Sequence, residues 1–255
     1  MQYTYGTSNT AADRLYEISK FFNPLALDLI QKYNSNHLSL GVDIGCGPGF
    51  TTQMLARALN SNQIYGLDIS DNFLALAQAQ FPQYHFLKHD ITKVPFPISA
   101  EVAYARFVLS HLANPGALIN QWANQLQKNG LLFIDEMEDV QTQTPVFQKY
   151  LGLNKAMVAN QGAELYVGEI IASGKYDFQV LCNESSKIPV PEWQAGAWFY
   201  PNTISIWKDD GFIKTLITEK EREEISAKIL EIKESGENTG NTFWIMRRIV
   251  ILKDF

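Results

Sequence analysis

Apolar positions along the chain change their spacing several times, and each change predicts an element. After a polar start to about Thr10, Leu15, Ile18, Phe21 and Phe22 recur at steps of three and four residues, the period of a helix face. Pro24 interrupts that face, and a second amphipathic pattern runs through Leu25, Leu29 and Ile30, so two helices are predicted before the first strand. From Leu38 the pattern shortens to a compact apolar run, LSLGVDIG, closed by a glycine-rich turn. Thr51 to Leu59 then carries Met54, Leu55 and Ala58 on one helical face. The alternation continues with a strand at Gln63–Asp68, a helix at Asn72–Gln80, and strands near Tyr84–Leu87 and at Glu101–Ala105. A helix at Pro115–Gln127, ended near Gly130, leads into a strand at Leu131–Asp135. Strands separated by helices of this length predict parallel βαβ units, an α/β fold with a doubly wound sheet covered on both faces.

Beyond Glu136 the alternation becomes irregular. Helices are predicted over Pro145–Asn160, Leu165–Ala172, Pro201–Lys208 and Glu219–Glu234, with strands at Tyr176–Leu181 and Phe243–Leu252. Asn183–Gln194, holding two prolines, predicts a loop. Phe212–Thr218 competes with residues 176–181 for the sixth strand, and periodicity leaves both open.

Composition narrows the class of molecule. With 255 residues, 46% hydrophobic and 19% charged, the chain can bury a substantial single core without staples. Its 21 basic and 27 acidic side chains leave a net charge of -6, which opposes a phosphate backbone and argues against a nucleic-acid substrate. The same balance favours a neutral or cationic small-molecule partner. No apolar run reaches the roughly 18 residues of a membrane span, and MQYTYGTSNT has neither region of a signal peptide, so a cytoplasmic protein without a membrane partner is expected. Cys46 and Cys182 lie far apart, which predicts two free thiols and no metal site.

The chemistry concentrates in Val42-Asp43-Ile44-Gly45-Cys46-Gly47-Pro48-Gly49-Phe50, where a strand passes into a helix. Glycines there let the backbone approach a ligand, and the helix start behind them offers amide donors. A dinucleotide fingerprint would need glycine or alanine where Phe50 stands, and no Lys followed by Ser or Thr completes a triphosphate loop.

This segment resembles the acidic-residue, G-x-G-x-G motif of class I S-adenosylmethionine-dependent methyltransferases, and the resemblance runs from about Leu38 to Glu138. GLDIS puts Asp68 and Ile69 at the end of the second strand, 19 residues after Gly49, where an acidic side chain accepts from ribose hydroxyls. LKHDI puts Asp90 and Ile91 at the position that in the family faces adenine. ARFVLSHLANP, beginning at Ala105 and Arg106, resembles the segment after strand four, and LQKNGLLFIDEME the approach to strand five. The resemblance implies a mostly parallel seven-stranded sheet with a helical cap from inserted segments. The 255 residues would form one domain, with a lid at 1–37, a cofactor-binding core at 38–138, and cap segments with C-terminal strands at 139–255. It also implies S-adenosylmethionine as cofactor, held by Asp43, Gly45, Cys46, Gly47, Gly49, Asp68, Ile69, Asp90, Ile91, Arg106 and, from the leader, Tyr5. Asp43 would reach the cationic amino-acid end directly or through water.

The implied reaction is methyl transfer to an oxygen, nitrogen or carbon of a small organic molecule, by a monomer or homodimer. Aligning the acceptor supplies much of the rate of such a displacement. A hydroxyl or protonated amine would also need a general base, and His111, at the carboxyl edge of the fourth strand, is the candidate. His37, His85 and His89 receive no role. Glu136 and Glu138 face the same edge and are secondary candidates for acceptor binding, with solvated carboxylates as the expected reading. Tyr150, Tyr166, Trp193, Trp198, Phe199, Tyr200 and Trp207 are candidates for an aromatic acceptor pocket, with Tyr3, Tyr5 and Arg14 contributing to a lid. Rival readings are an RNA or protein methyltransferase, disfavoured by the missing N/D-P-P-Y/F tetrapeptide, and a cofactor-binding protein or cyclase that transfers no methyl group.

Overall fold

The computed structural model describes residues 5–236 and 238–255; Tyr3 lies outside them. The predicted alternation is present as β1 (Gly41–Ile44), α2 (Phe50–Leu59), β2 (Ile64–Asp68), α3 (Asp71–Gln80), β3 (His85–Lys88), β4 (Val102–Arg106), α4 (Pro115–Asn124) and β5 (Gly130–Thr142), preceded by α1 (Asn9–Tyr33). The rest of the chain supplies α5 (Pro145–Asn160), α6 (Gly168–Ala172), β6 (Gln179–Pro189), α7 (Glu192–Asp209), α8 (Ile213–Leu216), α9 (Glu219–Ser235) and β7 (Thr242–Lys253). The described strands form one seven-stranded sheet in the order β3-β2-β1-β4-β5-β7-β6. β1 to β5 pair in parallel, and β7 runs antiparallel to both β5 and β6.

Every residue of β1 and β4 is buried, as expected of central parallel strands covered on both faces. One face packs Ile44, Ala105 and Ile134 against Ile119 and Trp122 of α4. The other packs Ile64, Tyr104 and Phe133 against Leu55 of α2 and Ile30 of α1. A third cluster, separate from the sheet core, joins Phe147, Trp198, Phe199, Trp207, Ile229 and Trp244 of the cap to Phe22 of α1. Strand order reverses between β1 and β4, and their carboxyl ends diverge there into a crevice, the usual ligand position of open α/β sheets.

Several sequence expectations are corrected. α1 runs unbroken through Pro24, because burying Phe22, Ala26, Leu29 and Ile30 outweighs the roughly 3 kcal/mol cost of an internal proline. β5 continues to Thr142 through pairing with β7, so the fifth strand does not stop at Asp135. Residues 183–194 are not a loop. β6 extends to Pro189, where an edge strand tolerates proline, and Pro191 caps the start of α7. α7 also absorbs the separate helix predicted from Pro201. The sixth strand is 179–189, while residues 213–216 are helical. Only Gly168–Ala172 of the predicted helix at 165–172 is helical; Gly168 lies against the β5 backbone, where a Cβ would come 2.6 Å from Glu138 Cα.

Candidate active site

The crevice is a cleft of about 530 Å³, within the size range of small-molecule sites. Its floor is the turn after β1. Gly45 has φ +72°, and a Cβ there would stand 2.7 Å from Val108 Cγ2, so only glycine fits. At Gly47, φ +52°, the nearest atoms to such a Cβ would be Leu15 Cδ1 at 3.8 Å and Phe73 Cδ2 at 3.9 Å. A side chain there would occupy the cleft. Asp68 binds the turn to the end of β2, its Oδ2 accepting from Gly47 N and its Oδ1 from Ser70 N, both at 2.8 Å. Burial raises the Asp68 pKa, opposed by these amides. Asp90 accepts from the Thr92 hydroxyl at 2.7 Å and the Thr92 amide at 3.0 Å, which holds its carboxyl below the usual range.

Cys46, Gly47, Asp68, Ile69, Asp90, Ile91 and Arg106 line this cleft together with Gly45. Asp43 does not. It is buried beneath the turn, its Oδ2 accepting from the Thr51 and Thr52 hydroxyls at 2.7 Å each. Burial pushes its carboxyl up to about 6, against the pull of those hydroxyls and of Arg106. Asp43 therefore supports the turn that lines the cleft and is not itself part of the cleft wall. Gly49 also leaves the wall, with its Cβ position facing Phe81, Ala77 and Phe86 at 3.0–3.1 Å. Tyr5 lies elsewhere, as described below.

An adenosyl sulfonium with an amino-acid end fits the residues present. Two carboxylates and two exposed or half-buried isoleucines line the cleft for its nucleoside. Arg106 donates through Nη2 to Asn23 Oδ1 at 2.8 Å, while its buried Nη1 has no hydrogen-bond partner among the described residues, a donor suited to a ligand carboxylate.

Behind the cleft lies a second cavity of about 110 Å³ between α1, the β4 loop and the cap. Leu15, Ile18, Phe107 and His111 line both cavities and so form their shared wall. Phe107 adopts φ +56°, a costly backbone for an aromatic residue, fixed by its amide on Asp135 O at 3.1 Å. His111 ends the 3-10 turn Leu109–His111. Desolvation, with the charge of Arg14 second, lowers its pKa to about 4, so the imidazole is neutral. Tyr5 belongs to this cavity, edge-on to His111 at 5.8 Å and with Arg14 over its ring at 4.8 Å.

Of the predicted aromatic residues, Tyr150, Trp198 and Phe199 line the second cavity, whereas Tyr166, Trp193, Tyr200 and Trp207 do not. Trp207 is fully buried in the cap core, and Trp193 is 39% exposed. Phe22, Phe107 and Trp244, absent from the sequence candidates, complete the aromatic lining. The expectation of solvated carboxylates at Glu136 and Glu138, both within β5, fails. Glu136 is fully buried, its Oε1 accepting from Val108 N and Leu109 N at 2.7 and 2.8 Å. Glu138 pairs with Arg247 at 2.5 Å and accepts from Ser185.

A family model described as a methyltransferase domain matches residues 42–134. Over this span the chain is similar to methyltransferase domains. Its relatives include trans-aconitate 2-methyltransferases of Agrobacterium fabrum, 29% identical over 48% of this chain and 47% of that protein, and of Delftia acidovorans, 32% identical over 44% and 46%. The match spans about half the length of these relatives. The chain shares its fold with a crystal structure of YcgJ from Bacillus subtilis, at TM-score 0.52, 17% identity and coverage of 90% and 98% of the two chains. Coclaurine N-methyltransferase bound to N-methylheliamine and SAH gives TM-score 0.57, 14% identity and coverage of 91% and 72%.

Proposed function

We propose that this protein moves a methyl group from S-adenosylmethionine to a small organic molecule held in the aromatic cavity. The observation that carries the proposal is the shared wall: a cleft with adenosyl-binding chemistry meets a second, aromatic cavity at Phe107 and His111. A donor and an acceptor can lie end to end across it. Bound in the cleft, S-adenosylmethionine supplies a methyl carbon on a positively charged sulfur, open to in-line displacement. The protein's part is to align the acceptor and exclude water. Asp68 and Asp90 hold the nucleoside, the Gly45–Gly47 backbone and Arg106 hold the amino-acid end, and Asp43 keeps the turn in shape. His111 orients the acceptor as a neutral imidazole, since a pKa of about 4 makes it a weak base.

In this reading residues 1–37 cover the site, 38–138 bind the cofactor and 139–255 build the acceptor cap. The protein works in the cytoplasm as a monomer or homodimer on a free metabolite and not on nucleic acid, which its net charge of -6 supports. Among the described residues, no helix is long and apolar enough to cross a membrane. Calorimetric titration with S-adenosylhomocysteine tests the proposal. Binding should be micromolar and should weaken at least tenfold in Asp68→Ala, which removes the acceptor of two backbone amides as well as the ribose contact. Absence of binding to wild-type protein would refute it.

A further inference from the structure

The two cavities differ in charge, and the difference selects an acceptor. Arg14 is only 8% exposed although it sits on the α1 face that also presents Ala11, Leu15 and Ile18 to the interior. It is the one formally charged side chain among the described residues lining the second cavity. Otherwise the wall is aromatic and aliphatic, with Asn154, Asn202, Ser110 and His111 as its main polar members. Trp198, on the same wall, keeps a buried indole Nε1 without a hydrogen-bond partner among the described residues, and an indole nitrogen can only donate. Asn202 is turned to the Tyr150 hydroxyl at 2.7 Å.

We infer that the acceptor is a small monocarboxylic acid with an aromatic or cyclic apolar body, its carboxylate gripped by Arg14 beside His111 and its body seated among Phe22, Tyr150, Trp198 and Phe199. This deepens, and rests on, the methyl-transfer reading. Three observations support it. A guanidinium already desolvated by its surroundings pairs with a carboxylate more strongly than one in water, and its planar fork matches two carboxylate oxygens. Arg14 stands on the Tyr5 ring, which touches His111, so the carboxylate lies at the wall shared with the cofactor cleft and the body points away from it. The cavity of about 110 Å³ is also of the order of the roughly 150 Å³ engineered cavity that takes benzene, room for one ring and not for several charged arms. The chain's overall charge of -6, which favours a neutral or cationic partner at long range, does not describe this wall.

The step balances without a base. One carboxylate oxygen attacks the methyl carbon, the new O–C bond forms as the C–S bond breaks, and the bonding pair stays on sulfur. The negative carboxylate and positive sulfonium become a neutral methyl ester and a neutral thioether, and no proton moves. A weakly basic His111 is compatible with that chemistry.

The probes are phenylacetate, its uncharged isostere phenylacetamide, the cation phenethylamine, and trans-aconitate. Binding is measured by calorimetry with and without S-adenosylhomocysteine, and ester formation by mass spectrometry with S-adenosylmethionine. Phenylacetate should bind at least tenfold more tightly than the amide and the amine, outcompete trans-aconitate, and yield its methyl ester. Arg14→Gln should weaken phenylacetate ten- to a hundredfold, the range for a lost charge-assisted pair, and leave S-adenosylhomocysteine affinity unchanged. That unchanged affinity reports that the variant is folded, and Arg14→Lys should recover part of the loss. If S-adenosylhomocysteine binds but phenylacetate does not, or the amide binds as well, or Arg14→Gln makes no difference, the inference is overturned while the methyl-transfer reading stands. If S-adenosylhomocysteine does not bind, both fall.

Discussion

Glu136 offers the sharpest test of how the loop after β4 is held. Its carboxyl is fully buried, Oε1 accepts the Val108 and Leu109 amides, and Oε2 has no hydrogen-bond partner among the described residues. Burial pushes its pKa from 4.5 up to about 8, opposed by the two amides and assisted by the neighbouring Asp135. Between those values the folded protein keeps a proton that the unfolded chain has released, so stability falls as pH rises through the window. At about 1.4 kcal/mol per unit, the term reaches on the order of 3 kcal/mol at pH 7 and 4 kcal/mol near pH 8. Gln mimics the protonated acid, keeps one oxygen for the two amides and cannot ionise. Glu136→Gln should therefore match wild type at pH 5 and exceed it by several kcal/mol at pH 8.5, a urea midpoint shift above about 1 M. Denaturation curves for both proteins at the two pH values isolate Glu136, because Asp43, Asp68 and Asp135 titrate in both. A stability difference independent of pH, or a Gln variant weaker at pH 8.5, would refute the argument.

Three other outcomes follow from the same geometry. Gly47→Ala should fold at a cost of about 1–2 kcal/mol, since φ +52° strains any side chain although the space beyond it is open, yet lose S-adenosylhomocysteine binding in calorimetry by at least tenfold because the methyl group projects into the cleft; retained binding would mean that the ligand sits elsewhere. His111→Gln should cut turnover with cofactor affinity within about twofold, and the wild-type pH–rate profile should show no histidine inflection between 5 and 8, because the imidazole is already neutral above about 4. Tyr5→Ala should raise the acceptor KM and spare cofactor affinity, since Tyr5 touches Arg14 and His111 and is off the cleft wall; a selective loss of cofactor affinity would return Tyr5 to the cofactor side.

The lining of the cleft was legible because its determinants are local. Asp43 to Phe50 form one strand, turn and helix start, Asp68 and Asp90 each end the next strand, and the parallel order brings the three ends together. What the sequence did not disclose is that Asp43 faces the Thr51 and Thr52 hydroxyls beneath the turn, since residue type cannot tell a ligand contact from its support. Glu136 was misread as solvated for a related reason. β5 runs on past it, and pairing with Arg247 of β7, more than a hundred residues away, removes it from water.

The second cavity depends on contacts that no short window contains. α1 brings Arg14 and Phe22, the β4 loop brings Phe107 and His111, α5 brings Tyr150, α7 brings Trp198, and β7 brings Trp244. Their meeting depends on α1 crossing Pro24 without a break and on α7 reaching back to Glu192, both of which local proline rules oppose. One signal did exist. Arg14 falls three residues after Ala11 and four before Ile18, on the stripe that faces the interior. A charge on the buried stripe of an amphipathic helix marks the wall of the second cavity, which the net charge of the whole chain does not describe.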